Sequence, residues 1–334
     1  MLHTFAARVR SSLVVTVAAV ACALACAPAA AEAKAALVQL RVEGPSGTLD
    51  PGTWYVTGNE RVRLGRGHAC KNRKGGEKFR GPSALTLAAT AARHNKRLSP
   101  VRVRPTDFGP QLCQIGSLRS YGAYPDPTGG LLFWINGASG SSSPDLAMLR
   151  HGDSVLWHWA EFGTDPEVFT ETPLTLRKVP AGTTETTFTV RVLEYDFGGN
   201  ATPADGATIT GAESVVPLGG GRYQVTVARG FSTLQAERGL NVRSEPVEVC
   251  SRPKAAKCPK AHGRTIYGSD KGDRLRGTRG WDVIASGKGN DRIDIRKGGR
   301  DRVNCGPGKD VVVVKRGDRD DRIGRSCERV IRKG

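Results

Sequence analysis

Six aspartates near the C-terminus recur at a nearly constant spacing, and this repeat constrains the fold more than any other feature of the chain. The steps are nine, nine, ten, nine and eleven residues, which places the repeat at Asp273, Asp282, Asp291, Asp301, Asp310 and Asp321. An aliphatic residue follows each aspartate by two positions, and a glycine precedes most of them by two. One repeat is too short to bury a core alone, so this period predicts a stacked, narrow parallel β solenoid.

The repeat resembles the RTX, or hemolysin-type, calcium-binding nonapeptide G-G-x-G-x-D-x-U-x, in which U is aliphatic. The resemblance implies a right-handed β-roll whose glycine loops turn carbonyl oxygens towards Ca²⁺, while the aspartate adds a carboxylate. Ions would lie between alternate repeats, so Asp282 would face Asp301 and Asp291 would face Asp310. The predicted metal-binding residues are Asp273, Asp282, Gly289, Asp291, Asp301, Gly308 and Asp310.

This copy departs from the consensus. Only the loops 286–291 and 305–310 keep both inner glycines, and Lys271 stands where the first loop should have its last glycine. Residues 263–334 hold 20 Lys and Arg against 11 Asp and Glu, a balance of +9 that opposes cation binding. We expect about one to three calcium sites. The alternative is a roll that folds without metal and is stapled by a Cys305–Cys327 disulfide.

The first 33 residues are typical of a signal peptide. Arg8 and Arg10 precede the apolar run 13–27, and small residues follow at 29–33. The apolar run is short for a membrane span, and no later segment is a candidate. We therefore predict a secreted protein, extracellular or at the cell surface, with no transmembrane span after signal removal. The alternative is a lipoprotein anchored through Cys22 or Cys26.

Six cysteines remain after the signal peptide. An even count in an exported chain predicts disulfides, although six cysteines allow 15 connectivities. We favour sequential pairing, because each consecutive pair falls within one predicted domain or at its edge: Cys70 with Cys113, Cys250 with Cys258, and Cys305 with Cys327. A zinc site is the weaker alternative, because the chain has no C-x-x-C and no histidine at ligand spacing to a cysteine.

Residues 36–165 form the first predicted domain. Residues 38–42 alternate as a strand, Ser83 precedes an alanine-rich helix, and the strand 131–135 ends in the turn signal Asn136-Gly137. With the later Gly-Asp-Ser-Val-Leu-Trp at 152–157, this order resembles the transcobalamin-C-terminal-like domain of unknown function. The resemblance implies a β-grasp-like α+β fold. It also raises corrinoid-like ligand binding, although Trp134, Trp157 and Trp159 are more typical of core anchors.

The rest of the chain divides into further β modules. A Pro/Thr-rich linker is predicted at 166–183, and short strands with glycine-rich turns at 184–250 indicate a small β-sandwich. This run resembles Ig-like or carboxypeptidase-regulatory-like modules. A second linker at 251–262 leads to the degenerate RTX-type β-roll at 263–334. The predicted fold class is mainly β and multidomain.

No motif points to catalysis: G-x-S-x-G, H-E-x-x-H and Walker loops are all missing from the sequence. We therefore predict a non-enzymatic binding or structural protein of the cell surface or matrix, with an unknown extracellular partner. The net charge of +18 raises a second hypothesis, that the roll binds cell-wall polymer or nucleic acid. Its arginines would line one side of the roll: Arg274, Arg276, Arg292, Arg300, Arg302, Arg319 and Arg322.

Overall fold

Strands make up most of the chain, which carries one α-helix in the part that is described. The computed structural model describes residues 35–67, 70–107, 109–120, 129–161, 171–254, 258 and 262–334. Several separate sheets confirm the predicted mainly β, multidomain class. The predicted signal peptide (1–33) lies outside the described residues.

The first module contains two sheets and the helix. Its elements are β1 (Ala36–Gly44), β2 (Gly47–Thr57), β3 (Glu60–Arg66), β4 (Lys71–Phe79), α1 (Ala84–His94), a 3₁₀ turn (Lys96–Leu98), β5 (Val101–Thr106), β6 (Gly109–Ile115), β7 (Leu118–Arg119), β8 (Gly129–Ile135), β9 (Ala138–Ser139) and β10 (Ser154–Glu161). One sheet has the order β2-β1-β10-β8-β9 and the other β4-β3-β5-β6-β7. A single core joins both sheets to α1, including Leu40, Val62, Leu85 and Trp157.

The helix begins where the sequence predicts. Ser83 caps it by accepting from the Thr86 backbone N–H, and the Thr86 hydroxyl accepts from the Ser83 N–H in return. The helix ends at His94, because Asn95 adopts an extended conformation. Its side chain accepts from the Arg97 N–H and starts the separate 3₁₀ turn, which takes Lys96 and Arg97 out of the helix.

The second module is a β-sandwich. Its strands are β11 (Leu174–Arg177), β12 (Gly182–Thr183), β13 (Thr187–Tyr195), β14 (Ala201–Pro203), β15 (Thr208–Thr210), β16 (Ser214–Gly219), β17 (Arg222–Thr226), β18 (Gly230–Glu237) and β19 (Val247–Ser251). The sheets β11-β13-β17-β16 and β12-β19-β18-β15 enclose a core that includes Val190, Tyr223 and Leu234. The described part of the predicted linker 166–183 is not a linker. It supplies β11 and β12, because Leu174 and Leu176 bury themselves in the sandwich core.

The third module is a roll of two parallel sheets. Its strands are β20 (His262–Tyr267), β21 (Arg274–Arg276), β22 (Trp281–Ala285), β23 (Arg292–Asp294), β24 (Arg302–Asn304), β25 (Val311–Lys315), β26 (Arg322–Ile323) and β27 (Arg329–Lys333). Consecutive strands alternate between the sheets β20-β22-β24-β26 and β21-β23-β25-β27. The aliphatic residue of each repeat points inwards, as at Leu275, Ile284, Ile293 and Val303. This is the stacked parallel arrangement that the period predicts.

The roll continues the sheet of the first module, although the two were predicted as separate domains. Strand β20 pairs in parallel with β2, which makes one sheet of nine strands. Leu37, Trp54 and Val56 pack into the core of the roll, and the Arg264 guanidinium lies 3.8 Å from the Trp54 ring centroid. The first module therefore covers the end of the roll, which a solenoid needs in order to shield its terminal core.

The three disulfides join Cys70 to Cys113, Cys250 to Cys258 and Cys305 to Cys327, which confirms the predicted sequential pairing. Among the residues described, there is no helix with the length and apolarity that a membrane span requires.

Candidate calcium-binding site in the roll

Acidic side chains form two ladders along the roll, one above each sheet. In each step, a carboxylate oxygen accepts a hydrogen bond from the backbone N–H of the corresponding residue two repeats, or one coil, earlier. The nitrogen-to-oxygen distances are 2.6 to 3.0 Å. One ladder runs Arg264, Asp282, Asp301, Asp321, and the other runs Asp273, Asp291, Asp310, Glu328. The structure thus brings Asp282 against Asp301 and Asp291 against Asp310, the pairs expected from alternate repeats.

The first two aspartates of the repeat are satisfied by the protein itself. The Ser269 backbone N–H donates to Asp273 Oδ2 at 2.6 Å, and the Thr278 N–H donates to Asp282 Oδ2 at the same distance. The hydroxyls of Ser269 and Thr278 donate to the same carboxylates. Asp273 and Asp282 therefore have hydrogen bonds on both oxygens.

Within the described part of the chain, the later aspartates have a hydrogen bond on only one of their two carboxylate oxygens. The Oδ2 atoms of Asp291, Asp301, Asp310 and Asp321 are buried, and none has a hydrogen-bond partner among the described residues. An unpartnered buried carboxylate oxygen is costly, because it loses hydration without compensation. These four atoms are the places along the ladders where a proton or a cation would relieve that cost.

Two glycine loops stack next to Asp291 and Asp310. The Gly289 N–H donates to Pro307 O at 3.0 Å, and the Lys309 N–H donates to Asn290 Oδ1 at 2.9 Å. A Cβ built on Gly308 would lie 1.7 Å from Gly289 O. The glycines are required because the loop backbones touch, which brings carbonyl oxygens close to the acidic ladder.

Burial raises the pKa of four carboxyl groups in the ladders, those of Asp273, Asp291, Asp301 and Asp321. It is the main cause for Asp273, Asp291 and Asp321, with nearby acidic residues adding to it. For Asp301, burial and the negative charges of Asp282, Asp321 and Asp318 raise the pKa to about 7, against the lowering effect of the Asp282 N–H. Without a cation, Asp301 is therefore only partly ionised at neutral pH.

The positive charge of the roll lies on its outside. Asp282, Asp301 and Asp310 are buried, whereas Arg274, Arg276, Arg292, Arg302 and Arg322, flanking the inward aliphatics, are exposed. A net balance of +9 therefore does not describe the field at Asp291, Asp301 and Asp321, where the interacting charges are other carboxylates.

Side chains alone do not make a complete metal centre. The described residues contain no group of three or more His, Cys, Asp or Glu side chains placed to hold one ion. A calcium ion needs six to eight oxygens, so most would have to come from backbone carbonyls and water. The residues present fit that requirement at loops 286–291 and 305–310, where two open carboxylates adjoin stacked backbone.

Sequence reasoning left three ladder residues out of the predicted site. Asp321 carries one of the open oxygens, and Glu328 receives the Asp310 N–H at 2.8 Å. A signal for Glu328 was present, because Val330 follows it by two positions as in the other repeats. Arg264, two positions before Ile266, occupies the first step of its ladder with a backbone N–H.

The tryptophans of the first module are engaged by the protein. The indole N–H of Trp134 donates to His158 Nε2, that of Trp157 donates to Ala84 O, and that of Trp159 donates to Arg119 O. Burial lowers the pKa of His158 to about 4, which keeps its ring neutral. Trp134 also borders a cavity of about 440 Å³ between the first module and the sandwich. These contacts are those of core anchors.

No protein-family model, curated protein or solved structure matches this chain.

Proposed function

We propose that the chain is an exported, non-enzymatic binding or structural protein of the cell surface or matrix whose roll takes up calcium. The observation that carries the proposal is the set of open carboxylate oxygens on Asp291, Asp301, Asp310 and Asp321. Calcium is a hard cation that takes oxygen ligands, and it would neutralise charges that burial otherwise leaves unfavourable. Three disulfides and the signal-peptide pattern of residues 1–33 support export.

The residues that would hold the ion are Asp291 and Asp310, with backbone oxygens of their two glycine loops. Asp301 and Asp321 form the corresponding pair on the other ladder. We assign Asp273 and Asp282 a structural role, because the Ser269 and Thr278 donors already satisfy them. In this proposal the eroded start of the repeat is stabilised by side-chain hydrogen bonds and the later coils by metal.

Thermal unfolding of the full mature chain tests the proposal. We expect millimolar Ca²⁺ to raise the melting temperature, and Asp291→Asn with Asp310→Asn to abolish most of that rise. Asp270→Asn is the matched control, because Asp270 lies in the same roll but its side chain is 69% exposed. An unchanged melting temperature with Ca²⁺, or an equal loss in the control, would remove calcium from the proposal.

A further inference from the structure

The second sheet of the first module presents one face to solvent. Val62 of β3, Val103 of β5 and Ile115 of β6 are buried against the core on the inner face. The outward positions of β3, β4, β5 and β7 carry six cations, which we call the basic face: Arg61, Arg63, Lys78, Arg102, Arg104 and Arg119.

Strand register sets these cations beside one another. Arg61 lies opposite Lys78 across β3 and β4, and Arg63 lies opposite Arg102 across β3 and β5. Gln114 follows Arg102 in the same row, and Arg119 follows Gln114. Neighbouring strands are about 5 Å apart, and like charges directly opposite one another destabilise a sheet. The arrangement is thus unfavourable for the protein alone.

Neutral side chains hold the central arginines. Gln114 accepts from Arg102 and is itself fixed by donating to Gly116 O at 2.8 Å, while Gln111 accepts from Arg104. A glutamine carbonyl orients a guanidinium without cancelling its charge. Burial, together with the positive charges of Arg119 and Arg63, lowers the pKa of Arg102. The centre of the basic face is therefore a region of concentrated positive potential.

Carboxylates do not neutralise the rest of this face. Within the described residues, Arg61, Arg63, Lys78 and Arg119 form no ion pair, whereas elsewhere Arg93 pairs with Glu60 and Arg243 with Glu43. Five of the six cations are arginine, whose planar fork and weak hydration suit phosphate groups better than an ammonium does.

We propose that the basic face binds an extended polyol-phosphate polymer, a chain of phosphodiesters without bases. Cations on four strands match a repeating anion rather than a single ion. Among the described residues of β3 to β7, the only aromatic side chain is Phe79, which is buried, so these strands offer no exposed stacking platform of the kind used for single-stranded nucleic acid. The arginines of the roll fit such a chain less well, because they are divided between two sheets rather than lining one side as predicted.

The test measures binding of defined poly(glycerol phosphate) to the mature chain by calorimetry at low salt, with and without EDTA. The variant Arg61→Gln, Arg63→Gln, Arg119→Gln removes three exposed charges but leaves the Arg102–Gln114 contact intact. We expect it to bind at least about tenfold more weakly. The matched variant Arg274→Gln, Arg292→Gln, Arg329→Gln removes the same charge from the roll and should change affinity by less than about twofold.

Three comparisons decide the outcome. Binding should be independent of EDTA, which separates this face from the proposed calcium role of the roll. Polygalacturonate and single-stranded DNA of equal charge should bind more weakly. Equal losses in the two variants, no binding at low salt, or equal affinity for DNA or polygalacturonate would overturn the proposal. Folding is checked independently, because relief of repulsion should leave the melting temperature of the first variant equal or higher.

Discussion

The raised pKa of Asp301 makes the stability of the calcium-free roll depend on pH in an unusual direction. Its side chain is fully buried and one of its oxygens has no partner among the described residues, so the folded chain retains a proton that the unfolded chain releases near pH 4. The folded state is then favoured at low pH and loses stability as pH rises from about 4 to about 7. Asp301→Asn, which mimics the protonated acid, should remove this loss.

The size of the effect follows from the pKa. A value of about 7 corresponds to a loss of about 2.5 kcal/mol between pH 5 and pH 8. The carboxyl group lies close beneath the surface, where nearby solvent screens its charge, and this reduces the loss to between about 1 and 2 kcal/mol. His158 acts in the opposite direction, because burial lowers its pKa to about 4 and favours folding as pH rises to its unfolded value. The difference between wild type and variant therefore isolates Asp301.

Urea denaturation in EDTA at pH 5 and pH 8 gives the two free energies of unfolding for each protein. The loss between the two pH values should be greater by about 1 to 2 kcal/mol in the wild type than in Asp301→Asn. Asp270→Asn, at an exposed position, should behave like the wild type. Identical pH dependence in wild type and Asp301→Asn would refute the argument that Asp301 is protonated in the folded roll.

Three further predictions concern how the roll is held together. Gly308→Ala places a Cβ 1.7 Å from Gly289 O and should cost at least about 2 kcal/mol in urea denaturation, whereas Gly58→Ala, with its nearest contact at 3.6 Å, should cost under about 0.5 kcal/mol. Replacing Cys305 and Cys327 by serine opens a loop of 22 residues, so the free energy of unfolding should fall by about 3 kcal/mol. Ca²⁺ should then raise the melting temperature of this variant by more than that of the wild type. Trp54→Ala removes a contact between the first module and the roll core. We expect the free energy of unfolding to fall by about 3 kcal/mol and amide exchange at 262–285 to become faster. Unchanged exchange there would contradict this interface.

The roll was predictable because its signals are local and periodic. One aliphatic in each repeat specifies the inward position, and the step of about nine residues places alternate repeats on the same sheet. The state of each carboxylate was not predictable from the period. It depends on whether a donor such as Ser269 or Thr278 replaces the second glycine of the consensus, four residues before the aspartate.

Strands whose sequences lack alternating apolar and polar residues could not be predicted. Strand β4 is exposed along most of its length and is held by its pairing with β3 rather than by burial, so its sequence reads as a polar loop. The union of roll and first module was hidden for a different reason. Leu37 and Trp54 face away from the core of the first module and pack into the core of the roll. The only sign of this in the sequence is that β1 has apolar residues on both faces.

The most direct test of the account is a count of bound calcium. The mature chain, stripped with chelator and dialysed against millimolar Ca²⁺, would be analysed by atomic absorption and by calorimetry in buffers of different ionisation enthalpy. We expect about one to three ions per chain and release of protons on binding at neutral pH, because burial raises the pKa of Asp301 to about 7. Fewer than one ion per chain, or binding without proton release, would contradict the assignment of the open carboxylates to calcium.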